Sequence, residues 1–171
     1  FLIFVIAFST NVSYSQWGDC GVSIEACTNP SFAVTPNSFG AIEEFQSGTI
    51  TNPSSNPNAI PGNSGCLLSG ELNSTWLLVT VTSPGTLEFS MGALTSPGCF
   101  DWIMWPYDAN TCDDIFNNVL PPIACNWNGA CSGLTGMANT LPVGGSQADF
   151  ETALTVNGGD QYMICLSNYG G

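Results

Sequence analysis

From Ser74 to Tyr107 the chain reads STWLLVTVTSPGTLEFSMGALTSPGCFDWIMWPY, and apolar side chains recur at every second position. A strand turns successive side chains to opposite faces, so a period of two commits the stretch to β-structure. Over Thr75 to Thr82, Leu77, Val79 and Val81 share one face, while Trp76 and Leu78 share the other. Apolar residues on both faces predict a central strand covered on both sides. Ser83-Pro84-Gly85 predicts a turn, because proline presets the first corner and glycine accepts positive φ at the second. Thr86 to Met91 then returns with Leu87, Phe89 and Met91 inward and Thr86, Glu88 and Ser90 outward. That is the expected hairpin. A second turn, Ser96-Pro97-Gly98, leads to Phe100 to Tyr107. Phe100, Trp102 and Met104 share one face there; Asp101, Ile103, Trp105 and Tyr107 share the other.

The rest of the chain repeats this grammar. Phe150 to Val156 alternates as a strand, Asn157-Gly158-Gly159-Asp160 reads as a tight turn, and Gln161 to Leu166 follows with Tyr162, Ile164 and Leu166 on one face. Asp113 to Val119 suits one helical turn, and Ala41 to Phe45 a short strand or a helical turn. No helical period of useful length occurs. Residues 46–65 and 108–149 read as long loops, the first around TNPSSNPNAIPGNSG, where proline, asparagine, serine and glycine favour turns. Many short strands with Gly/Pro turns predict an all-β fold, an antiparallel sandwich of jelly-roll type. Asn168 to Gly171 reads as a turn, and a closing strand is expected beyond it.

Charge narrows the function. There is no Lys, Arg or His, against 13 carboxylates. Those carboxylates can be solvated, accept backbone N–H groups or hold a metal ion, but no side chain here can form a salt bridge with them. Nucleic-acid binding is not expected, since it rests on cations neutralising phosphates. A polybasic contact to anionic lipid is excluded on the same ground. Ser–His–Asp, Cys–His and lysine Schiff-base chemistries lack their bases.

Phe1 to Phe8 is an apolar run of leader-peptide length, too short to span a bilayer. Ser13 and Ser15 suit the small positions before a cleavage site. Residues 1–15 are therefore read as a leader cut short at its start, and 16–171 as one domain with no membrane insertion after cleavage. The eight cysteines, Cys20, Cys27, Cys66, Cys99, Cys112, Cys125, Cys131 and Cys165, all follow that cut. An even number behind a leader implies an oxidising compartment and disulfides. A local Cys20–Cys27 bridge is plausible. Zinc is disfavoured, because no CxxC pair and no histidine exist. A reactive thiolate wants nearby positive charge, which the side chains do not supply, so structural bridges outweigh redox catalysis.

Three constellations could carry chemistry. Asp101, Asp108, Asp113 and Asp114 cluster in sequence, and calcium, the one cofactor in view, takes six to eight oxygens. They lack EF-hand order, and a solvated acidic loop is the plainer reading. Trp105, Tyr107 and Trp127 could form a sugar-stacking platform, with Trp76 and Trp102 left to the core. Carboxylate pairs such as Glu43/Glu44 or Asp101/Glu151 could serve a glycosidase, but so generic a signal carries little weight.

The motifs also support a resemblance. They are Cys20 with Glu25-Ala26-Cys27, Gly65-Cys66-Leu67, Asn73-Ser74-Thr75-Trp76 and Gly85-Thr86-Leu87-Glu88-Phe89. Further on come Phe100-Asp101-Trp102-Ile103-Met104-Trp105, Cys112 with Cys125-Asn126, and Gly159 through Tyr169. Together they span most of residues 18–171. The chain resembles a β-sandwich domain near the N-terminus of large secreted and cell-surface proteins of Bacteroidota. Such proteins often carry PKD-type repeats and a gliding-motility-associated or type IX secretion sorting domain. It is similar, too, to pre-peptidase C-terminal and CUB-like sandwiches, which are accessory modules rather than catalysts. Cys99, Cys131 and Cys165 depart from that pattern, and no PKD repeat or sorting domain lies within these residues. The resemblance implies a non-enzymatic, disulfide-stapled module of an exported protein, serving adhesion or accessory binding alongside further domains. Its partners would be extracellular glycans or surface proteins. The alternatives are a carbohydrate-binding module attached to a secreted glycoside hydrolase and a structural spacer of a secreted peptidase.

Overall fold

A computed structural model describes residues 18–26, 44–45, 66–67, 70–92, 99–129, 131 and 133–169. The expected leader, the whole of the 46–65 loop, Cys27, Ala41 to Glu43 and the Ser96-Pro97-Gly98 turn lie outside the described residues.

The architecture is an all-β sandwich. A five-stranded sheet runs β1 (Ile24–Ala26), β2 (Thr75–Thr80), β10 (Gln161–Asn168), β5 (Phe100–Pro106), β6 (Ala124–Asn126) across its width. Two smaller sheets accompany it. One pairs β3 (Gly85–Leu87) with β9 (Leu154–Val156); the other orders β4 (Phe89–Gly92), β7 (Leu134–Met137) and β8 (Gly145–Glu151). Pairing is antiparallel except for β1 with β2 and β7 with β8, which run parallel.

The central sheet is buried on both faces, as the alternation requires. On one face Leu77, Trp102, Met104, Tyr162, Ile164 and Leu166 meet Met137 and Val156, with Leu87, Phe89 and Met91 packed around them. Phe89 meets Trp102 edge to face at 4.9 Å. On the other face Trp76, Ile103, Trp105, Met163 and Cys165 are covered by Cys20, Phe45, Cys66, Leu67 and Ile115. The faces read for β2, β5 and β10 are the faces found.

The expected hairpin is not. Ser83-Pro84-Gly85 does not return the chain beside β2; β2 pairs with β10, and the strand beyond the turn pairs elsewhere. The alternating run 86–91 breaks at Glu88 into β3 and β4, and the run 150–156 breaks at Thr152–Ala153 between β8 and β9. The ladders β2/β10 and β3/β9 keep one unbroken register, Leu77 opposite Ile164 and Leu87 opposite Leu154. They are one antiparallel ribbon folded over from the central sheet to the opposite layer. At the fold the Val81 N–H donates to the Asp160 carbonyl at 2.9 Å, and the Gly159 N–H to the Val81 carbonyl at 2.8 Å. Gly159, at φ +96°, takes a backbone conformation that side chains resist. Both Gly/Pro signals are thus corners of a bent ribbon.

Residues 108–149 are also more ordered than a loop. They hold a short helix α1 (Thr111–Phe116), near the expected 113–119, together with β6, β7 and the start of β8. The expected Cys20–Cys27 bridge is replaced by Cys20–Cys112, which ties a 3-10 turn at Cys20–Val22 to α1, 92 residues apart. A second bridge joins Cys99 to Cys131.

Candidate functional site

The calcium grouping is dispersed. Asp101 stands at the start of β5, and its Oδ1 accepts the Asn128 N–H at 2.9 Å. Asp108 follows the opposite end of that strand, about 20 Å away at the usual rise. Its Oδ1 accepts the Asn110 N–H at 2.8 Å, and its own N–H donates to Thr111 Oγ1 at 2.7 Å, fixing the turn into α1. Asp113 and Asp114 occupy the first turn of that helix, where the backbone dipole favours negative charge. Among the described residues no three His, Cys, Asp or Glu side chains come together to hold a metal.

The aromatic grouping is split as well. Trp105 is 0% exposed. It stacks on Trp76 with centroids 5.6 Å apart and lies 5.8 Å from Phe45. Tyr107 is half-buried against the same core. Two alternating positions on one strand face share that face's fate, and this face is covered. Trp127 alone of the three is open, 54% exposed, in the turn after β6. The six-membered ring of its indole lies against Gly129, where a Cβ would stand 3.3 Å from it.

Trp127 has a neighbour that the sequence did not single out. Tyr169, also 54% exposed, follows β10 at the same end of the sheet, where its N–H donates to the Cys99 carbonyl at 2.8 Å. The start of β5 lies between them: Trp102 stands opposite Asn126 on one side and Leu166 on the other. The Cys99–Cys131 bridge fastens that strand start to the turn carrying Trp127, and the Cys131 N–H donates to the Asn128 carbonyl at 3.2 Å. Two exposed rings thus stand on a cross-linked rim at this end of the sheet. Nothing in sequence distinguishes Tyr169 from the other tyrosines, because its exposure follows from where β10 ends.

A second constellation is enclosed. Glu44 and Glu71 are 5% and 1% exposed, facing each other beneath the segments that cover Trp76. The Cys20 N–H donates to Glu44 Oε1 at 2.7 Å, the Glu44 N–H to Glu71 Oε2 at 2.9 Å, and Trp76 Nε1–H to Glu71 Oε1 at 2.8 Å. Three of the four oxygens are satisfied. Glu44 Oε2 is buried with no donor among the described residues, and the chain has no Lys, Arg or His to supply one. The two carboxyl groups are close enough to shift each other's titration, and a proton held by Glu71 relieves the repulsion between them. Burial pushes Glu71 up to about 9, reinforced by the Glu44 charge. Burial likewise raises Glu44 to about 7, with Asp19 adding repulsion. A carboxylic acid kept neutral by its surroundings can act as a hydrogen-bond donor. So enclosed a pair cannot meet a substrate; it latches residues 20, 44 and 71–76 together. The clue was an isolated glutamate between Leu67 and Trp76 in a chain without cations.

Of the two hydrolytic pairs, Asp101 and Glu151 are placed on different faces of the sheet. Asp101 shares the face of Ile103 and Trp105, while Glu151 Oε1 accepts Asn126 Nδ2, on a residue paired with Trp102 of the other face. Glu43 lies outside the described residues. Burial raises Asp101 to about 7 against the lowering effect of the Asn128 N–H. No protein-family model, curated protein or solved structure matches this chain.

Proposed function

We propose that this chain is a non-catalytic module of a secreted or cell-surface protein, serving adhesion or accessory binding, and that its ligand docks on the Trp127–Tyr169 rim. The observation that carries the reading is the indole of Trp127, more than half exposed and seated on Gly129 beside a disulfide. A large exposed aromatic on a fixed turn is costly to leave in water and useful against a ligand with an apolar face. Pyranose rings have such faces, so an extracellular glycan is the favoured ligand. The reading calls on no cofactor.

Two disulfides support an oxidising compartment. Among the described residues no helix is long and apolar enough to cross a membrane. The resemblance to N-terminal sandwiches of Bacteroidota surface proteins supports the same location.

The test is titration of the intact chain with a panel of plant, algal and bacterial polysaccharides, followed by tryptophan fluorescence and calorimetry. At least one polysaccharide should bind, and Trp127→Ala should weaken it roughly ten-fold or more, in line with loss of an aromatic anchor. Tyr169→Ala should weaken it less. Full-strength binding by the Trp127→Ala chain, or no binding by the parent to any member, overturns the rim as a glycan site.

A further inference from the structure

We infer that Cys66 and Cys125 are the two halves of a third disulfide, which pins the loop cover of the Trp76–Trp105 face to the edge strand β6. Both residues lie in the same core, 2% and 0% exposed, although 59 positions apart in sequence. The Cys66 N–H donates to Cys125 Sγ at 3.0 Å, and the two thiols lie in hydrogen-bonding contact. That contact sets the Cys125 sulfur against the backbone of Cys66, within reach of the Cys66 side chain.

The choice of partner follows from the sheet. Cys165 is the other buried thiol on this face. Cys125 stands opposite Ile103, and Ile103 stands opposite Cys165. Cys125 and Cys165 thus occupy one row on strands two apart, about 10 Å between Cα atoms at the usual strand spacing. A disulfide spans no more than about 7 Å between Cα atoms. Among the described residues, Cys66, arriving from above the sheet, is the one that reaches Cys125.

The chemistry is thiol–disulfide exchange with a small-molecule disulfide as oxidant. The thiolate of one cysteine attacks an oxidant sulfur, the oxidant's S–S bond breaks, and one thiolate leaves. The second cysteine then attacks the sulfur of the mixed disulfide. The Cys66–Cys125 bond forms, and the second half of the oxidant leaves. Two electrons pass to the oxidant, and the two thiol protons go to its thiolates. The nucleophile in each step is a thiolate. Burial, with the Cys125 thiol alongside, pushes the Cys66 thiol far up. The bond therefore forms while the cover is still open during folding, and closure shelters it afterwards. The pairing rests on this geometry; only the supply of oxidant in the organism rests on the secreted reading.

The test uses the full chain, reduced, unfolded, and refolded in a buffer of reduced and oxidised glutathione, so it does not depend on export. Acid quenching, alkylation of remaining thiols, peptic digestion and non-reducing mass spectrometry follow. The expected result is a linked peptide pair holding Cys66 and Cys125, with neither taking the alkyl label until a reductant is added. Label on both residues in chains that have closed Cys20–Cys112 and Cys99–Cys131 overturns the inference. So does a linkage of Cys66 to any other cysteine. Failure of glycan binding by the same material would bear on the rim alone.

Discussion

The two faces of the central sheet are closed by different chemistry. One is closed by more sheet. Trp102, Met104 and Ile164 press against strands whose backbone groups are satisfied by their own ladders, so the second layer brings side chains and little polar debt. The other face is closed by loops and a one-turn helix, which have no such ladder. There the cover is held by point fastenings: the Cys20–Cys112 bridge, the Glu44–Glu71 latch, and Ser74 Oγ donating to the Gly18 carbonyl at 3.1 Å. A continuous layer fails cooperatively, whereas a fastened cover can be loosened one clasp at a time. That difference dictates where each perturbation should act.

The largest effect is expected on the strand-closed face. Trp102→Ala removes a fully buried ring that touches Phe89, and should cost about 4 kcal/mol in urea unfolding. A loss under about 1 kcal/mol would show that this face is not the rigid one. On the fastened face, Cys20→Ala with Cys112→Ala opens a link spanning 92 residues and should cost about 3 kcal/mol. Hydrogen exchange should rise in α1 and stay low in β4 and β7; a uniform rise would erase the distinction.

Gly136→Ala probes the strand layer again. A Cβ there would run into the backbone carbonyl of Phe89 on β4, where neither atom can retreat. The expected loss is about 2 kcal/mol, read from the urea midpoint.

The latch gives the fastened face a pH signature. Glu44 and Glu71 are both raised above the ordinary 4.5, to about 7 and about 9, so the folded chain holds its protons more tightly than the unfolded one. Stability from the pair is complete below about pH 4.5 and is lost as pH climbs through those values. Asp101, raised to about 7 on the same face, adds in the same direction. The fall should be on the order of 2 kcal/mol by pH 9, seen as a declining melting temperature. Glu71→Gln removes one ionisation and should flatten the decline. Stability that instead rises over this range would dissolve the latch.

The smallest effect on folding belongs to the rim. Trp127→Ala should change stability by under about 0.5 kcal/mol, because its ring is mostly in water. A larger loss would move Trp127 into the core and undercut its proposed role as a binding surface.

Much of the sheet was legible because burial on a strand repeats every two residues. Trp102 and Met104 against Ile103 and Trp105, or Tyr162, Ile164 and Leu166 against Met163 and Cys165, could be sorted without coordinates. The hairpin was not legible. Period two says which side chains share a face, but not which strand lies alongside. The bent ribbon keeps its alternation through Pro84-Gly85 and Asn157–Asp160 while changing sheets. For the candidate site, the Asp residues were read by closeness in sequence, and β5 carries Asp101 about 20 Å from Asp108. Trp105 and Trp127 look alike in composition; one is sealed by Trp76 and Phe45, the other stands in a turn beyond β6.

By itself, the sequence determined an all-β chain with a sheet covered on both faces, cross-linked by cysteines and deprived of every salt bridge between side chains. Those properties follow from residue type and short-range spacing. Tertiary structure alone decided that Cys20 meets Cys112, that Glu44 and Glu71 are buried together, and that Trp127 and Tyr169 share a rim. Each of these joins segments between 27 and 92 residues apart, and only the register of the folded sheet brings them into reach.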